Sequence, residues 1–145
     1  MRRTAEQIET LLRERGFSLT PQRRAIVRHL ADRGGHWTAA EVLESLTGEF
    51  PLASRATVYS TLALLRDLGV LADVPAPGPG GEARYDANPE AHQHFVCRRC
   101  GQLRDVPPEW FPVVIPPGAE VDFSVDHYRI VAEGVCRACA EPATR

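Results

Sequence analysis

In the first half of the chain, apolar side chains recur at helical spacing in four runs, each introduced by a helix-capping signal. The first run opens at Thr4 with Gln7 three residues on, a capping-box pattern, and carries Ile8, Leu11 and Leu12 on one face before Gly16. Thr20 is placed to cap a second helix with Pro21 at its first position, followed by Ala25, Ile26 and Leu30. Thr38 and Glu41 form another capping box ahead of Val42, Leu43 and Leu46. The fourth run starts at Ser54, keeps Val58, Leu62, Leu65 and Leu68 in phase, and ends near Gly69.

Beyond Gly69 the pattern predicts two short extended runs, Val70 to Val74 and Glu82 to Asp86, around a turn from Pro75 to Gly81. Three helices, then a fourth followed by a hairpin, is the order of a winged helix-turn-helix; a small helical bundle with a linker is the alternative. Residues 87–91, with Asn88-Pro89, read as a hinge. The second half predicts strands at Phe95 to Cys97, Leu103 to Val106, Val121 to Val125 and Tyr128 to Ala132, the last two as a hairpin. Prolines 107, 108, 112, 116 and 117 leave room for little regular helix between the second and third of these. The expected fold is therefore α+β: an N-terminal winged helix-turn-helix over residues 1–86, the hinge, and a small α/β domain over 92–145.

Composition adds direction. The net charge of −2 argues against indiscriminate coating of nucleic acid, but residues 1–72 hold ten Arg against eight acids, whereas residues 73–145 hold seven Arg against eleven. The first half is the better DNA-binding candidate. No apolar run is long enough to span a bilayer, and Met1-Arg2-Arg3 leads into an amphipathic segment, so the sequence reads as a soluble cytoplasmic protein without a membrane partner. In a reducing compartment, four cysteines in two tight pairs favour metal ligation over disulfides.

Cys97-x-x-Cys100 and Cys136-x-x-Cys139 supply four thiolates, the soft tetrahedral set that Zn²⁺ takes in closed structural sites. A dithiol redox switch and buried free thiols are the competing readings. His92-x-His94 lies just before the first pair; on an extended strand the two imidazoles share one side. Asp86, Asp105 and His36 complete a possible nitrogen and oxygen site suited to Fe²⁺, Mn²⁺ or Zn²⁺, against the alternative of idle surface histidines. His36 is expected to open the third helix. In the fourth helix, the buried phase of Val58 and Leu62 leaves Arg55, Thr57, Tyr59 and Ser60 at the exposed N-terminal end. A recognition helix presents that end to the major groove, although a solvated face would look the same.

Taken in order, Leu19-Thr20-Pro21-Gln22-Arg23, His36-x-Thr38-Ala39-x-Glu41, Ala56-Thr57-Val58-Tyr59, Arg84-Tyr85-Asp86, His92-x-His94 and the cysteine pairs resemble the ferric uptake regulator family over nearly the whole chain. The resemblance implies a homodimeric repressor that binds A·T-rich inverted repeats when a regulatory metal holds its domains closed, with a dimerisation domain in the second half. Arg23, in the first motif, joins Arg55, Thr57, Tyr59 and Ser60 as a candidate DNA contact. The set His36, Asp86, His92, His94 and Asp105 is most similar to the ligands of the peroxide-responsive branch, which implies regulatory Fe²⁺ or Mn²⁺ beside structural Zn²⁺. The alternative within the family is an iron-, manganese- or zinc-responsive regulator.

The sequence departs from its relatives at several positions. Ala91 and Gln93 stand where iron-responsive members build part of a further site, leaving His127 without its usual company, and Asp86 lacks the nearby Cys of zinc-responsive members. Ser18 replaces a frequent basic residue, Ser60 a frequent Arg, and the segment from Pro107 to Pro117 is shorter than the usual dimerisation helix. Outside the family, a small metallohydrolase is the rival, opposed by the lack of an evident general base and by five ligands that leave little room for an activated water. A zinc-stabilised protein-interaction module leaves the H-x-H pattern and the helix-turn-helix unexplained.

Overall fold

The computed structural model describes residues 3–49, 54–74, 81–88, 90, 92–118, 122, 123, 125 and 128–140. The chain divides into two compact units, residues 1–90 and 91–145.

The first unit contains α1 (Ala5–Glu14), α2 (Pro21–Arg33), β1 (His36–Trp37), α3 (Ala39–Glu49), α4 (Arg55–Asp67), β2 (Ala72–Val74) and β3 (Arg84–Asp86). Each helix begins where its cap requires. Thr4 and Gln7 bond reciprocally, Thr20 accepts from the Arg23 amide, and Ser54 accepts from the Thr57 amide. Thr38 and Glu41 close the second capping box, with bonds of 2.8 and 3.1 Å. At the end of α4, Gly69 takes φ 68°, donates to the Arg66 carbonyl, and is followed by a Val70 amide bonded to the Leu65 carbonyl. This is a Schellman cap, which also engages the Leu71 amide and delays the strand expected from Val70 until Ala72.

Ile8, Leu12, Ile26, Val27, Leu30, Val42, Leu46, Val58, Leu62 and Leu65 fill one core, each at most 4% exposed. Leu68, expected in that face, is only partly buried, whereas Thr61 is fully so. Strand β3 is central in a three-stranded antiparallel sheet between β1 and β2. His36 therefore lies on a strand and not at the start of α3, because pairing with Asp86 captures its backbone before Thr38 caps the helix. The wing strands are shorter than expected, and the wing tip, residues 75–80, lies outside the described residues.

The second unit is built on a three-stranded sheet in the order β5-β4-β6, from β4 (Gln93–Cys97), β5 (Leu103–Val106) and β6 (Val131–Gly134), and ends in the short helix α5 (Arg137–Ala140). β4 pairs antiparallel with β5 and parallel with β6. The expected hairpin of Val121–Val125 with Tyr128–Ala132 is replaced by this arrangement. Residues 122, 123, 125 and 128–130 carry no strand, residues 121, 124, 126 and 127 lie outside the description, and the final strand starts at Val131. Between β5 and β6 the only helical turn among the described residues is a single 3₁₀ turn, Pro108–Trp110, as the prolines dictate. Among the described residues of this unit, Val96, Cys97, Val106 and Cys136 are the buried hydrophobic ones, a small core. No helix among the described residues is long and apolar enough to cross a membrane.

Candidate metal centres and nucleic-acid interface

The four cysteines converge because β4 and β6 run parallel. The register sets Cys97 beside Gly134, so the turn after β4 and the turn into α5 emerge at the same end of the sheet. One Sγ from each of Cys97, Cys100, Cys136 and Cys139 lies within 4.8 Å of the others, and Cys100 and Cys136 stand 3.8 Å apart. A tetrahedral ion with bonds of about 2.3 Å sets its sulfurs about 3.8 Å apart, so the donor set fits zinc in both chemistry and spacing. No disulfide joins them.

The surrounding backbone favours thiolate. The Cys136 amide donates to Cys97 Sγ at 3.3 Å. That bond, with those from the Cys100 and Arg99 amides, lowers Cys97 to about 6 against the pull of desolvation. Cys139 is pushed up to about 12 by its thiol neighbours Cys136 and Cys100. Four thiols crowded together therefore keep some protons until a cation replaces them.

Each unit also brings imidazole and carboxylate groups together that could hold a metal, in part through strand pairing. In the first unit, His36 and Asp86 are register partners, with Nε2 and Oδ1 3.8 Å apart. Asp86 is 1% exposed, and its Oδ1 also accepts from the Asn88 amide at 2.8 Å, which turns the chain as it leaves β3. In the second unit, His94 pairs with Asp105 across β4 and β5. His92 precedes β4, and its Nε2 approaches His94 Nε2 to 3.0 Å; the two nitrogens lie 3.6 and 3.8 Å from Asp105 Oδ1. Ions with bonds of about 2.1 Å hold adjacent donors roughly 3 Å apart, so small adjustments would suit this trio to a shared cation.

The N-terminal end of α4 is tied to both α2 and the wing. The Ser54 amide donates to Gln22 Oε1 at 3.3 Å, beside Arg23, whose guanidinium donates to the Ser18 carbonyl. Thr57 Oγ1 accepts from Ser54 Oγ at 2.7 Å, and Ser60 Oγ donates to the Thr57 carbonyl at 3.2 Å. Arg55 and Ser60 are exposed, Thr57 and Tyr59 half-buried.

A family model of the ferric uptake regulator family matches residues 14–111. The chain belongs to the ferric uptake regulator family. Among its relatives, the "Peroxide-responsive repressor PerR" of Staphylococcus epidermidis is 35% identical over 131 residues, which span 90% of this chain and 86% of that protein. A protein of the same name from Staphylococcus aureus is 34% identical over 90% of this chain and 87% of its own length. The solved ferric uptake regulator of Helicobacter pylori shares the fold with a TM-score of 0.74 at 18% identity, covering 99% of each chain.

Ferric uptake regulators are DNA-binding transcriptional regulators that act as dimers, with an N-terminal DNA-binding domain and a C-terminal dimerisation domain. They are not enzymes, so the metallohydrolase alternative is set aside. Three polar arrangements escaped the sequence reading. Arg84 Nη1 reaches Glu41 at 3.0 and 3.3 Å, tying β3 to the start of α3 across 43 positions. Glu9, 6% exposed, gathers Arg13, Arg24 and Arg28 at 3.3 to 3.6 Å and joins α1 to α2. Glu82 accepts from the Tyr59 hydroxyl. Only Glu9–Arg13 had a local signal, the i,i+4 spacing of an ion pair.

Proposed function

We propose that this chain is a cytoplasmic, homodimeric, metal-dependent repressor whose regulatory ion is Fe²⁺ or Mn²⁺ and whose signal is peroxide. The observation that carries the reading is the pair of ligand sets: His36 with Asp86 in one unit, and His92 with His94 and Asp105 in the other. These five donors are nitrogen and oxygen only, in contrast to the all-sulfur set of Cys97, Cys100, Cys136 and Cys139. Zn²⁺ is assigned to the sulfur set as a structural ion. The five-donor set is assigned one regulatory ion, which joins the two units across a hinge at residues 87–91.

An ion that collects ligands from both units favours one arrangement of the DNA-binding units in the dimer, and metal then acts as corepressor. Arg55, Thr57, Tyr59, Ser60 and Arg23 are assigned to an A·T-rich inverted repeat, with α4 in the major groove. The dimer interface is assigned to the second unit, where Trp110, Val114, Ile115 and Phe123 are 55 to 75% exposed in the single chain. Identity of about one third to two peroxide-responsive repressors supports the choice of signal.

Bound ferrous iron would supply the electron that cleaves peroxide. His36 and His92 are the side chains assigned to take up the hydroxyl radical left beside hydroxide; the ring would then give one electron back to the oxidised iron and lose one proton, and the resulting oxo-imidazole is a weaker ligand. The test is DNA binding by the Fe²⁺ and Mn²⁺ forms before and after mild hydrogen peroxide, with mass spectrometry of tryptic peptides. Loss of binding by the iron form alone, with added oxygen at His36 or His92 before zinc release, is expected. Zinc loss and disulfides appearing first, or an iron form whose response is untouched by Asp105→Glu, would leave a plain iron or manganese regulator.

A further inference from the structure

The segment between Arg66 and Arg84 contains no cationic residue. Its charged residues are Asp67, Asp73 and Glu82, and the arginines at its two ends already have partners. Arg66 lies 3.0 Å from Asp67 and 3.7 Å from Asp73, and Arg84 is engaged by Glu41 at 3.0 Å. A wing that grips the DNA backbone offers cations to phosphate. This wing offers carboxylates.

One of those carboxylates reaches the helix assigned to the bases. The Tyr59 hydroxyl donates to Glu82 Oε1 at 3.3 Å, and Arg55 Nη2 donates to the same hydroxyl oxygen at 3.3 Å. The Arg55 guanidinium also lies 5.3 Å from the centre of the Tyr59 ring. Glu82, Tyr59 and Arg55 thus form a chain from the base of the wing to the first turn of α4. Glu82 and Arg55 are exposed, so both would meet an incoming duplex.

We propose that Glu82 is a specificity-determining residue of the DNA interface: it orients Tyr59, and through it Arg55, toward the bases, and its charge disfavours duplexes that place a phosphate against the wing. This rests on the assignment of α4 as the DNA-reading helix. The carboxylate contributes by exclusion. A duplex in the correct register presents base edges to Tyr59 and Arg55 and keeps its backbone away from Glu82. A misplaced or unrelated duplex brings phosphate toward a negative charge, in a segment whose flanking arginines, Arg66 and Arg84, already have acidic partners.

The test uses the full-length, metal-loaded protein with two fluorescent duplexes. One is selected by the wild-type protein from a random-sequence pool; the other is its scramble of equal composition. Glu82→Gln keeps an acceptor for the Tyr59 hydroxyl and removes the charge. It is expected to bind the scrambled duplex about 3- to 10-fold more tightly at low salt, with a smaller change for the selected duplex, so selectivity falls. The gain should shrink as salt rises, because screening shortens the reach of the carboxylate. Glu82→Ala, which also removes the acceptor, should in addition weaken binding to the selected duplex. If Glu82→Gln leaves the ratio of the two affinities unchanged at both low and high salt, while Arg55→Ala and Tyr59→Ala weaken the selected complex, the role of Glu82 is overturned and α4 remains the reading helix. If Arg55→Ala and Tyr59→Ala also bind the selected duplex as the wild type does, the assignment of α4 fails and takes this inference with it.

Discussion

Asp86 stands opposite His36 across an antiparallel strand pair, its Oδ1 3.8 Å from the imidazole Nε2. Directly opposed residues project to the same side of a sheet, so the pairing of β1 with β3 is itself enough to bring a nitrogen and an oxygen donor together. β4 and β5 repeat the device with His94 and Asp105. Backbone ladders thus set two of the three proposed histidine ligands opposite a carboxylate before any ion binds.

The sulfur site should be structural. Cys97→Ser leaves three thiolates in a unit with few buried apolar residues, and the second unit should lose zinc, cooperative melting and dimerisation together. Because β4 also carries His94, regulatory metal affinity should fall in the same variant. Zinc content, thermal melting and sedimentation check this; an unchanged melting temperature in a protein that remains dimeric would contradict it.

Glu41 gives a pH prediction. Burial raises its carboxyl, but the Thr38 backbone bond and the Arg84 charge outweigh burial and bring it below its ordinary value of 4.5. A carboxylate depressed in the folded state adds stability that is present above the unfolded value and lost as pH falls through the folded one. At neutral pH, Glu41→Gln should cost roughly 0.2–1 kcal/mol, as expected of a partly exposed ion pair. The difference between wild type and variant should vanish as pH falls below 4.5 in thermal melts. A difference that persists to low pH would assign the loss to packing.

Arg55→Ala and Tyr59→Ala should each weaken operator binding by about 1–3 kcal/mol if each reads a base. Metal content should be unchanged. Equal losses on every sequence in a binding titration would move Arg55 to the phosphates.

The helices were legible because their signals are local. Thr4, Thr20, Thr38 and Ser54 each cap within three residues of themselves, and the apolar phase of α4 follows from its own spacing. What was missed depends on distant pairing. Two residues, His36 and Trp37, form a strand only because their partners in β3, Asp86 and Tyr85, reach them from far along the chain. Val131 joins β4 in parallel, a partnership that no local turn announces, and the hairpin expected from two adjacent apolar runs gave way to it. Arg137–Ala140 turn into a helix where the Ala140 amide bonds to the Cys136 carbonyl, within the second cysteine knuckle. The candidate ligands were proposed from type and spacing, and the cross-strand registers that set His36 opposite Asp86 and His94 opposite Asp105 could not be read that way. Tyr59, read as exposed, is half-buried and held by Glu82 from 23 positions away.

The central claim is that one regulatory ion takes ligands from both units, and the most direct test is the Mn²⁺ affinity of the zinc-containing protein with His36 or His94 replaced by Ala. The account predicts a single tight Mn²⁺ site per chain in the wild type. Each variant should weaken it by more than the 10- to 100-fold typical of losing a supporting second-layer residue, with zinc content unchanged. A His36→Ala protein that kept wild-type Mn²⁺ affinity would contradict the claim and leave His92, His94 and Asp105 as a site of their own.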